Sequence, residues 1–237
     1  MATLDTHMVS LTAPASFEAE RYQGLRLTIE RLAMTRDVKV IAVSSPTMGD
    51  GKTVTAINLA GALARGADGR VLLIDADLRR PSIDRQIGIT DVRVGLADAL
   101  SDHSISFADV VRTLDGFNLD VVPAGTPRAG VSEILRSPRL SAFIEEARQR
   151  YAYIVLDTPP LLPVSDAALL AKSVDGVLMV VSAHQTPRKL LGEALNMLDP
   201  AKVLGIVFNR DASPLFGYYN SSYRGYFPDV SQTVNEA

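Results

Sequence analysis

Short apolar runs alternate along the chain with longer stretches in which apolar residues recur at helical spacing. The apolar runs predict strands, because strands buried on both faces of a parallel sheet carry few polar residues. They lie at 38–44, 70–75, 118–122, 153–157, 175–182 and 202–208. The longer stretches predict helices at 15–34, 52–66, 94–100, 131–136, 138–150, 164–172 and 188–198. This alternation predicts an α/β fold, a mostly parallel sheet with helices on both faces.

The pattern divides the chain into three parts. Residues 1–13 carry no regular pattern, and we expect a flexible leader. Residues 14–212 hold all the predicted elements and are long enough to form one domain with a large core. Within that domain, 101–117 is compatible with either a short helix or a loop. Residues 213–237 break the alternation and form a tyrosine-rich tail.

The turn between the first predicted strand and the helix at 52–66 has the composition of a phosphate-binding loop. The residues expected to contact a nucleotide are Gly49, Asp50, Gly51, Lys52, Thr53 and Val54. Glycines let successive N–H groups face one anion, and the helix N-terminus adds further unpaired N–H groups. A lysine here reaches the outer phosphates of a nucleoside triphosphate, and a threonine hydroxyl binds Mg²⁺. Pro46 replaces the first glycine of the common pattern, so a plain strand-to-helix turn is the alternative.

Acidic residues follow two other predicted strands. Asp75 and Asp77 lie at the end of the strand at 70–75, and Asp157 ends the strand at 153–157. Open α/β sheets bind ligands at the carboxyl ends of their strands, so these carboxylates should lie near the glycine-rich turn. Mg²⁺ prefers oxygen ligands. One such aspartate is often only a helix cap, but the three together favour a site for magnesium and a nucleoside triphosphate.

Composition narrows the class of protein further. Formal net charge is −3 with no basic block, so nothing indicates a nucleic acid partner. The chain has no cysteine, which excludes disulfides and thiolate catalysis. Its first residues lack the pattern of a secretion signal, and its apolar runs fall far below the roughly 18 residues of a membrane helix. We therefore expect a cytoplasmic protein.

Three strings of residues together resemble one family. They are GDGKT at 49–53, LIDADLRRP at 73–81 and LDTPPLLPVSDA at 156–167. Over about residues 14–226 the chain resembles the bacterial tyrosine kinases of capsule and exopolysaccharide synthesis, in their separate cytoplasmic form. The resemblance implies a P-loop NTPase-like fold, ATP and Mg²⁺ as cofactors, and phosphoryl transfer to tyrosine. Met48 and Asp50 replace a proline and a glutamate of the family; neither position must act through its side chain, so we expect nucleotide binding to survive.

The resemblance also implies roles for the site residues. Lys52 would neutralise charge on the phosphates, and Thr53 would bind the metal directly. Asp77 and Asp157 would bind the metal or its waters. Asp75 is the better candidate for the base that takes the tyrosine proton, because the pKa of a free tyrosine is near 10. The division of roles among the three aspartates stays open.

The tail contains four of the chain's seven tyrosines, Tyr218, Tyr219, Tyr223 and Tyr226. Small and polar residues between them favour no regular element. One interpretation is an aromatic tail that packs on the domain or on a neighbour, since disordered tails are usually poor in aromatic residues. The resemblance instead implies that these tyrosines are autophosphorylated in trans.

Other positions are interpreted through the same resemblance. Glu20, Gln23 and Arg26 lie at a spacing of three, where the family carries Glu-x-x-Arg-x-x-Arg and uses it to join subunits into a ring. Gln23 replaces an arginine, so a charge-assisted contact becomes a weaker neutral one. A solvent-exposed helix face is the alternative. Asn209, after the last predicted strand, would contact the adenine base or is a turn residue.

Three function classes fit these observations. The first is an autophosphorylating tyrosine kinase. A transmembrane polysaccharide co-polymerase would activate it and bring it to the inner face of the membrane, and a cognate phosphatase would remove the phosphate. The second is an ATPase switch of the partition or division-site type, whose extra loop lysine is replaced here by Thr47. The third is a non-catalytic, ATP-binding scaffold of a polysaccharide export complex. The tyrosine-rich tail favours the kinase.

Overall fold

The computed structural model describes residues 4–126 and 129–211. Within these ranges the strands are β1 (Val40–Ser44), β2 (Val71–Asp75), β3 (Arg112–Leu114), β4 (Leu119–Val122), β5 (Tyr153–Asp157), β6 (Gly176–Ser182) and β7 (Val203–Asn209). They form one sheet in the order β3-β4-β2-β5-β1-β6-β7. Every neighbouring pair is parallel except β3 and β4. The predicted mostly parallel sheet is therefore confirmed.

Helices cover both faces of this sheet. In the described ranges they are α1 (Val9–Thr12), α2 (Phe17–Arg36), α3 (Lys52–Gly66), α4 (Ile83–Ile87), α5 (Leu96–Ser101), α6 (Phe107–Val110), α7 (Val131–Arg136), α8 (Pro138–Arg150), α9 (Asp166–Leu170) and α10 (Arg188–Leu195). Short 3-10 helices at Ala171–Ser173 and Pro200–Lys202 follow α9 and precede β7. None of the helices described is long and apolar enough to cross a membrane.

Two apolar clusters hold the layers together. On one face α3 packs with alternate residues of β1, Ile41 and Val43. On the other face α5 and α8 pack with the remaining β1 residues, Val40 and Ala42. Full burial of one large apolar side chain contributes roughly 1.5–3 kcal/mol. The central strands are therefore fixed from both sides, and so are the ends from which the site is built.

Local sequence sets the helix boundaries. The Ser16 side chain accepts a hydrogen bond from the Ala19 N–H at 3.1 Å, which caps the start of α2. Ser137 caps α8 in the same way, and Pro138 fits the first helical position, where no N–H donor is needed. The predicted bounds 52–66, 131–136 and 138–150 match α3, α7 and α8.

Three short elements were not identified from the pattern of apolar residues. The five residues of α4 are too few to show a helical period. α6 and β3 fall in the ambiguous segment 101–117. β3 is an antiparallel edge strand whose side chains are exposed or half-buried, so it forms no apolar run.

Residues 5–12 differ from the expected flexible leader. Met8 is fully buried, and Leu11 packs against the position of Gly61 in α3. The Ser10 N–H donates to Asn58 Oδ1 at 2.8 Å, and Asn58 Nδ2 donates to the His7 carbonyl at 2.9 Å. Two apolar side chains, the buried Asn58 amide and a backbone bond from the Asp5 N–H to the Gln86 carbonyl at 2.9 Å hold this segment. So few apolar residues do not form a periodic pattern.

Candidate nucleotide-binding site

The loop between β1 and α3 borders an open cleft of about 360 Å³. Gly49 and Gly51 have left-handed backbone conformations, with φ of 86° and 93°. A Cβ at Gly51 would lie 1.9 Å from Asn209 Nδ2, so both conformation and space require glycine there. Residues of the loop and of the start of α3 that line the cleft are Met48, Gly49, Gly51, Lys52, Thr53 and Val54. The N-terminus of α3 therefore faces a space that an anion can enter.

Four polar residues from three strand ends meet beside this cleft. Lys52 Nζ lies 2.8 Å from Asp77 Oδ2 and 3.5 Å from Asp157 Oδ1. The Thr53 hydroxyl donates to Asp157 Oδ2 at 2.6 Å. β5 lies between β1 and β2 in the sheet, which brings the three strand ends together. The convergence predicted from sequence is therefore present in the fold.

Burial and charge shift the pKa values of this cluster in different directions. Burial disfavours the charged amine of Lys52, but Asp157 and Asp77 outweigh it and the pKa of Lys52 is raised. Burial raises the pKa of Asp157 to about 6, although Lys52 and the Thr53 hydroxyl act against the rise. The lysine thus stays charged, and the cluster carries an excess of carboxylates over cations.

Asp75 is enclosed behind this cluster. Its Oδ2 atom accepts from the N–H groups of Ser82 and Ile83 at 3.0 and 3.1 Å, and its Oδ1 atom accepts from the Asp77 N–H at 3.3 Å. Burial, followed by the like charge of Asp157, raises the pKa of Asp75 to about 7. Asp77 lines the cleft, whereas Asp75 is fully buried. The proton-acceptor role of Asp75 stays a prediction.

The Asp50 side chain hydrogen-bonds within the loop and to the turn after β6, and it does not line the cleft. Its carboxylate is almost fully buried and accepts from the Thr47 N–H and hydroxyl at 3.1 and 2.9 Å. It also accepts from the Ser182 N–H at 3.3 Å and the Thr186 hydroxyl at 2.6 Å. The side chain at this position therefore has a structural role in the loop, and the expectation that the change from glutamate leaves nucleotide binding intact stays a prediction. Since the Thr47 hydroxyl is held here, that residue also differs in role from a projecting loop lysine.

Asn209 touches the loop from the end of β7. Its Nδ2 atom donates to the Asp50 carbonyl at 3.0 Å. Arg210 follows with φ of 58° and lines the cleft. A contact between Asn209 and adenine stays a prediction, but its contact with the loop backbone is not that of a simple turn residue.

Arg79 forms a second polar group that sequence reasoning did not identify. Its guanidinium donates to Asp166 at 2.5 and 3.3 Å, and the Ser132 hydroxyl donates to the same carboxylate at 2.6 Å. Asp166 is fully buried at the start of α9. The group joins the segment after β2 to α7 and α9 and supports one wall of the cleft. The available signal was the strings DADLRRP and PVSDA, which contain both charged partners.

The predicted oligomer-contact residues lie along α2. Glu20 is exposed and Gln23 is half-buried. Arg26 pairs with Glu30 at 3.5 Å, and its guanidinium occupies the space above Gly66, the last residue of α3. Arg26 is therefore engaged within its own chain. Ring contacts by these residues stay a prediction, and so does phosphorylation of Tyr218, Tyr219, Tyr223 and Tyr226, which lie outside the described residues.

A parallel sheet whose central strand leads through a glycine-rich loop into a helix opening with lysine and threonine defines the class of P-loop nucleotide-binding proteins. Carboxylates from the neighbouring strand ends complete the arrangement. Nucleotide binding follows from this class of fold.

Comparisons with known proteins identify the family within that class. The family model described as AAA domain matches residues 38–201. The chain is 31% identical to the tyrosine-protein kinase YwqD of Bacillus subtilis, over 92% of this chain and 93% of YwqD. It is 32% identical to the succinoglycan biosynthesis transport protein ExoP of Rhizobium meliloti over 97% of this chain, but it spans only 30% of ExoP.

The structures agree with this result. The kinase domain of the Escherichia coli tyrosine kinase ETK superposes with a TM-score of 0.81 and 27% identity, covering 88% of this chain and 82% of that domain. The chain therefore belongs to the family of bacterial tyrosine-protein kinases. The predicted resemblance, P-loop fold and enzyme class are confirmed.

Proposed function

We propose that this chain transfers the γ-phosphoryl group of ATP to tyrosines of its own C-terminal tail, in trans, within a system that makes capsule or exopolysaccharide. The observation that carries the proposal is the cluster in which Lys52 lies within 3.5 Å of both Asp77 and Asp157 while Thr53 donates to Asp157. Phosphoryl transfer depends mainly on positioning and on neutralising phosphate charge. This cluster provides a cation and metal-binding oxygens at the place where the phosphates would lie.

The donor set fits Mg²⁺. Thr53, Asp77 and Asp157 offer hydroxyl and carboxylate oxygens, the ligand type that Mg²⁺ takes together with phosphate oxygens and water. Bound Mg²⁺ would neutralise charge on the β- and γ-phosphates. Lys52 now lies among these carboxylates and would turn towards the phosphates when the metal enters. Gly49 and Gly51 would let the loop N–H groups face the same phosphates.

Asp75 is the proton acceptor in this proposal. The tyrosine oxygen forms a bond to the γ-phosphorus, the bond to the bridging oxygen of ADP breaks, and the phenol proton passes to the carboxylate. A pKa raised to about 7 suits this task at neutral pH. Asp75 Oδ1 accepts only the Asp77 N–H at 3.3 Å among its described bonds, which leaves capacity for a proton. Since Asp75 is buried, the turn from Asp77 to Ser82 must open to admit the acceptor.

The acceptors are Tyr218, Tyr219, Tyr223 and Tyr226, presented by a neighbouring subunit of a ring. Small residues between these tyrosines suit a tail that enters another subunit's cleft. Glu20, Gln23 and Arg26 would form the ring contact on α2. Asn209 would lie close to the adenine, since it borders the loop at the end of β7.

The cellular role follows from the relatives. ExoP is named a succinoglycan biosynthesis transport protein and is about three times the length of the segment it shares with this chain. We propose that a transmembrane polysaccharide co-polymerase binds this chain at the inner face of the membrane and activates it. A tyrosine phosphatase would reverse the modification.

Mass spectrometry of the purified protein after incubation with MgATP tests the proposal. Phosphate on the four tail tyrosines, increased by the cytoplasmic segment of the membrane partner and absent from Lys52→Met, is the expected result. An unmodified tail in the presence of that segment contradicts the kinase. ATP hydrolysis without tail phosphate would instead favour the ATPase switch.

A further inference from the structure

The carboxylate of Asp50 joins two loops that are far apart in sequence. One oxygen, Oδ2, accepts from the N–H and hydroxyl of Thr47 within the P-loop. The other, Oδ1, accepts from the Ser182 N–H and the Thr186 hydroxyl, which belong to the end of β6 and the turn that follows it. Asp50 is 3% exposed. A buried carboxylate left without hydrogen-bond donors is costly, so these four donors hold the two loops against Asp50.

Only a carboxylate satisfies this set of donors. Two of the four are backbone N–H groups, which cannot reverse their role as hydroxyls can. An asparagine at position 50 would direct its NH₂ group at one pair of donors. That amide would then repel either the Thr47 N–H or the Ser182 N–H. The two backbone N–H donors therefore favour two acceptor oxygens, as in aspartate, at position 50.

Asn209 at the end of β7 bonds both of these loops. The Ala183 N–H donates to the Asn209 carbonyl at 2.7 Å, and Asn209 Nδ2 donates to the Asp50 carbonyl at 3.0 Å. Asp50 is thus held through its side chain by the β6 turn and through its backbone by β7. Gly49 and Gly51 on either side are in left-handed conformations. The contacts of Asp50, which lies between these two glycines, therefore fix the conformation of the loop.

We infer that Asp50 and Thr186 are positioning residues of the nucleotide site, which hold the P-loop in its phosphate-binding shape before the nucleotide arrives. This rests on the proposed binding of Mg²⁺-nucleotide. A negative charge so near the phosphates would weaken binding through its field, so its benefit must come from geometry. Preorganised N–H donors bind an anion without a cost of rearrangement at the moment of binding.

The test compares Thr186→Val, Thr186→Ser and Asp50→Asn with the full chain. Thr186→Val keeps the shape of the side chain and removes the hydroxyl that donates to Asp50 and also accepts from the Ser182 N–H at 2.9 Å. We expect it to weaken MgADP binding about tenfold in calorimetry, equivalent to about 1.4 kcal/mol, and to raise the KM for ATP while kcat for tail phosphorylation changes less than twofold. Thr186→Ser should restore both, and Asp50→Asn should exceed the effect of Thr186→Val. Thr35→Val, an exposed threonine on α2, is the matched control.

The outcomes separate the two proposals. Wild-type protein that binds no MgADP refutes the proposed function, and this inference with it. Wild-type protein that binds MgADP, with Thr186→Val and Asp50→Asn binding equally well, refutes the positioning role alone. Loss of kcat with unchanged KM in Thr186→Val also refutes it. If Thr186→Val unfolds, the comparison of Asp50→Asn with Thr186→Ser gives the same decision.

Discussion

The ammonium group of Lys52 lies 2.8 Å from the carboxylate of Asp77; the Asp77 side chain is buried and that of Lys52 is half-buried. Without nucleotide, the lysine partners the carboxylates that would hold the metal. Removing one partner of a buried ion pair leaves an uncompensated charge. In the proposed function, Asp77 and Asp157 would hold the metal and Lys52 would pair with the phosphates, so binding of MgATP would exchange these partners.

Replacing Lys52 by Met should abolish tail phosphorylation, with a loss of about 100-fold or more, because a preorganised cation at the phosphates is removed. The fold should persist, although the free energy of unfolding at pH 8 should fall because Asp77 and Asp157 lose their cation. Phosphotyrosine mass spectrometry and urea denaturation measure the two effects. Lys189→Met, at an exposed lysine, is the control and should behave as wild type. Undiminished tail phosphate in the Lys52 variant contradicts the assignment.

Stability without nucleotide should fall as the pH rises from 5 to 8. The pKa values of Asp157 and Asp75 are raised to about 6 and about 7 in the folded state. Between the unfolded value near 3.8 and these values the folded state holds protons that the unfolded chain has lost, so stability present at low pH is lost. The decrease should be on the order of 3 kcal/mol. Urea denaturation at several pH values measures it.

Asp157→Asn serves as the comparison in that experiment. It removes one of the two raised groups, so its stability should depend less steeply on pH and should exceed that of wild type at pH 8. Carboxylates whose pKa is lowered titrate below this window and do not obscure the result; in the described part of the chain they are Asp5, Asp109, Asp120, Asp166 and Asp175. A pH dependence equal to that of wild type would show that Asp157 is not the source.

Gly51→Ala should prevent nucleotide binding. Its left-handed conformation costs a residue with a Cβ about 1–2 kcal/mol, and the added atom would clash with Asn209 at 1.9 Å. Calorimetry with MgADP and thermal unfolding test this. Gly192→Ala lies in α10 with no atom within 4 Å of the new Cβ, so it should leave binding unchanged and stabilise the helix slightly. Normal MgADP binding by Gly51→Ala would mean that the loop adopts another shape.

Asn58→Ala should detach residues 5–12 from α3. The Asn58 side chain is fully buried and bonds the Ser10 N–H and the carbonyls of His7 and Val54. Its loss should cost about 2–3 kcal/mol, because buried partners are left unpaired. Hydrogen exchange at Ser10 should accelerate. Asn118→Ala removes one solvent-exposed bond and should cost less. Slow exchange at Ser10 in the Asn58 variant would show that the remaining contacts of Asp5, Met8 and Leu11 are enough to hold the segment.

The sequence identified the parts of the site that have local signatures. β1, β2 and β5 are buried on both faces, so each appeared as an apolar run, and the aspartates that end β2 and β5 were visible at once. Two glycines followed by lysine and threonine, between a predicted strand and a predicted helix, indicate the loop. Parallel pairing then required the three strand ends to meet.

The missed parts depend on contacts between distant residues. Thr186 lies 136 positions from Asp50 and stands in a turn with no pattern of its own. Asp166 and Arg79 are 87 positions apart, and either alone resembles an ordinary surface charge. Their burial comes from packing that periodicity does not reveal. Side-chain pairs that join two loops distant in sequence therefore have no signature in the sequence and are visible only in the fold.

Lys52 is the first residue of α3, and Arg26 contacts Gly66, its last residue. This 15-residue helix is about 22 Å long at 1.5 Å per residue. A neighbouring subunit that draws Arg26 away from Gly66 would disturb the C-terminal end of α3, while the proposed triphosphate site lies at its N-terminal end. We therefore expect subunit assembly and nucleotide binding to affect each other through the rigidity of α3.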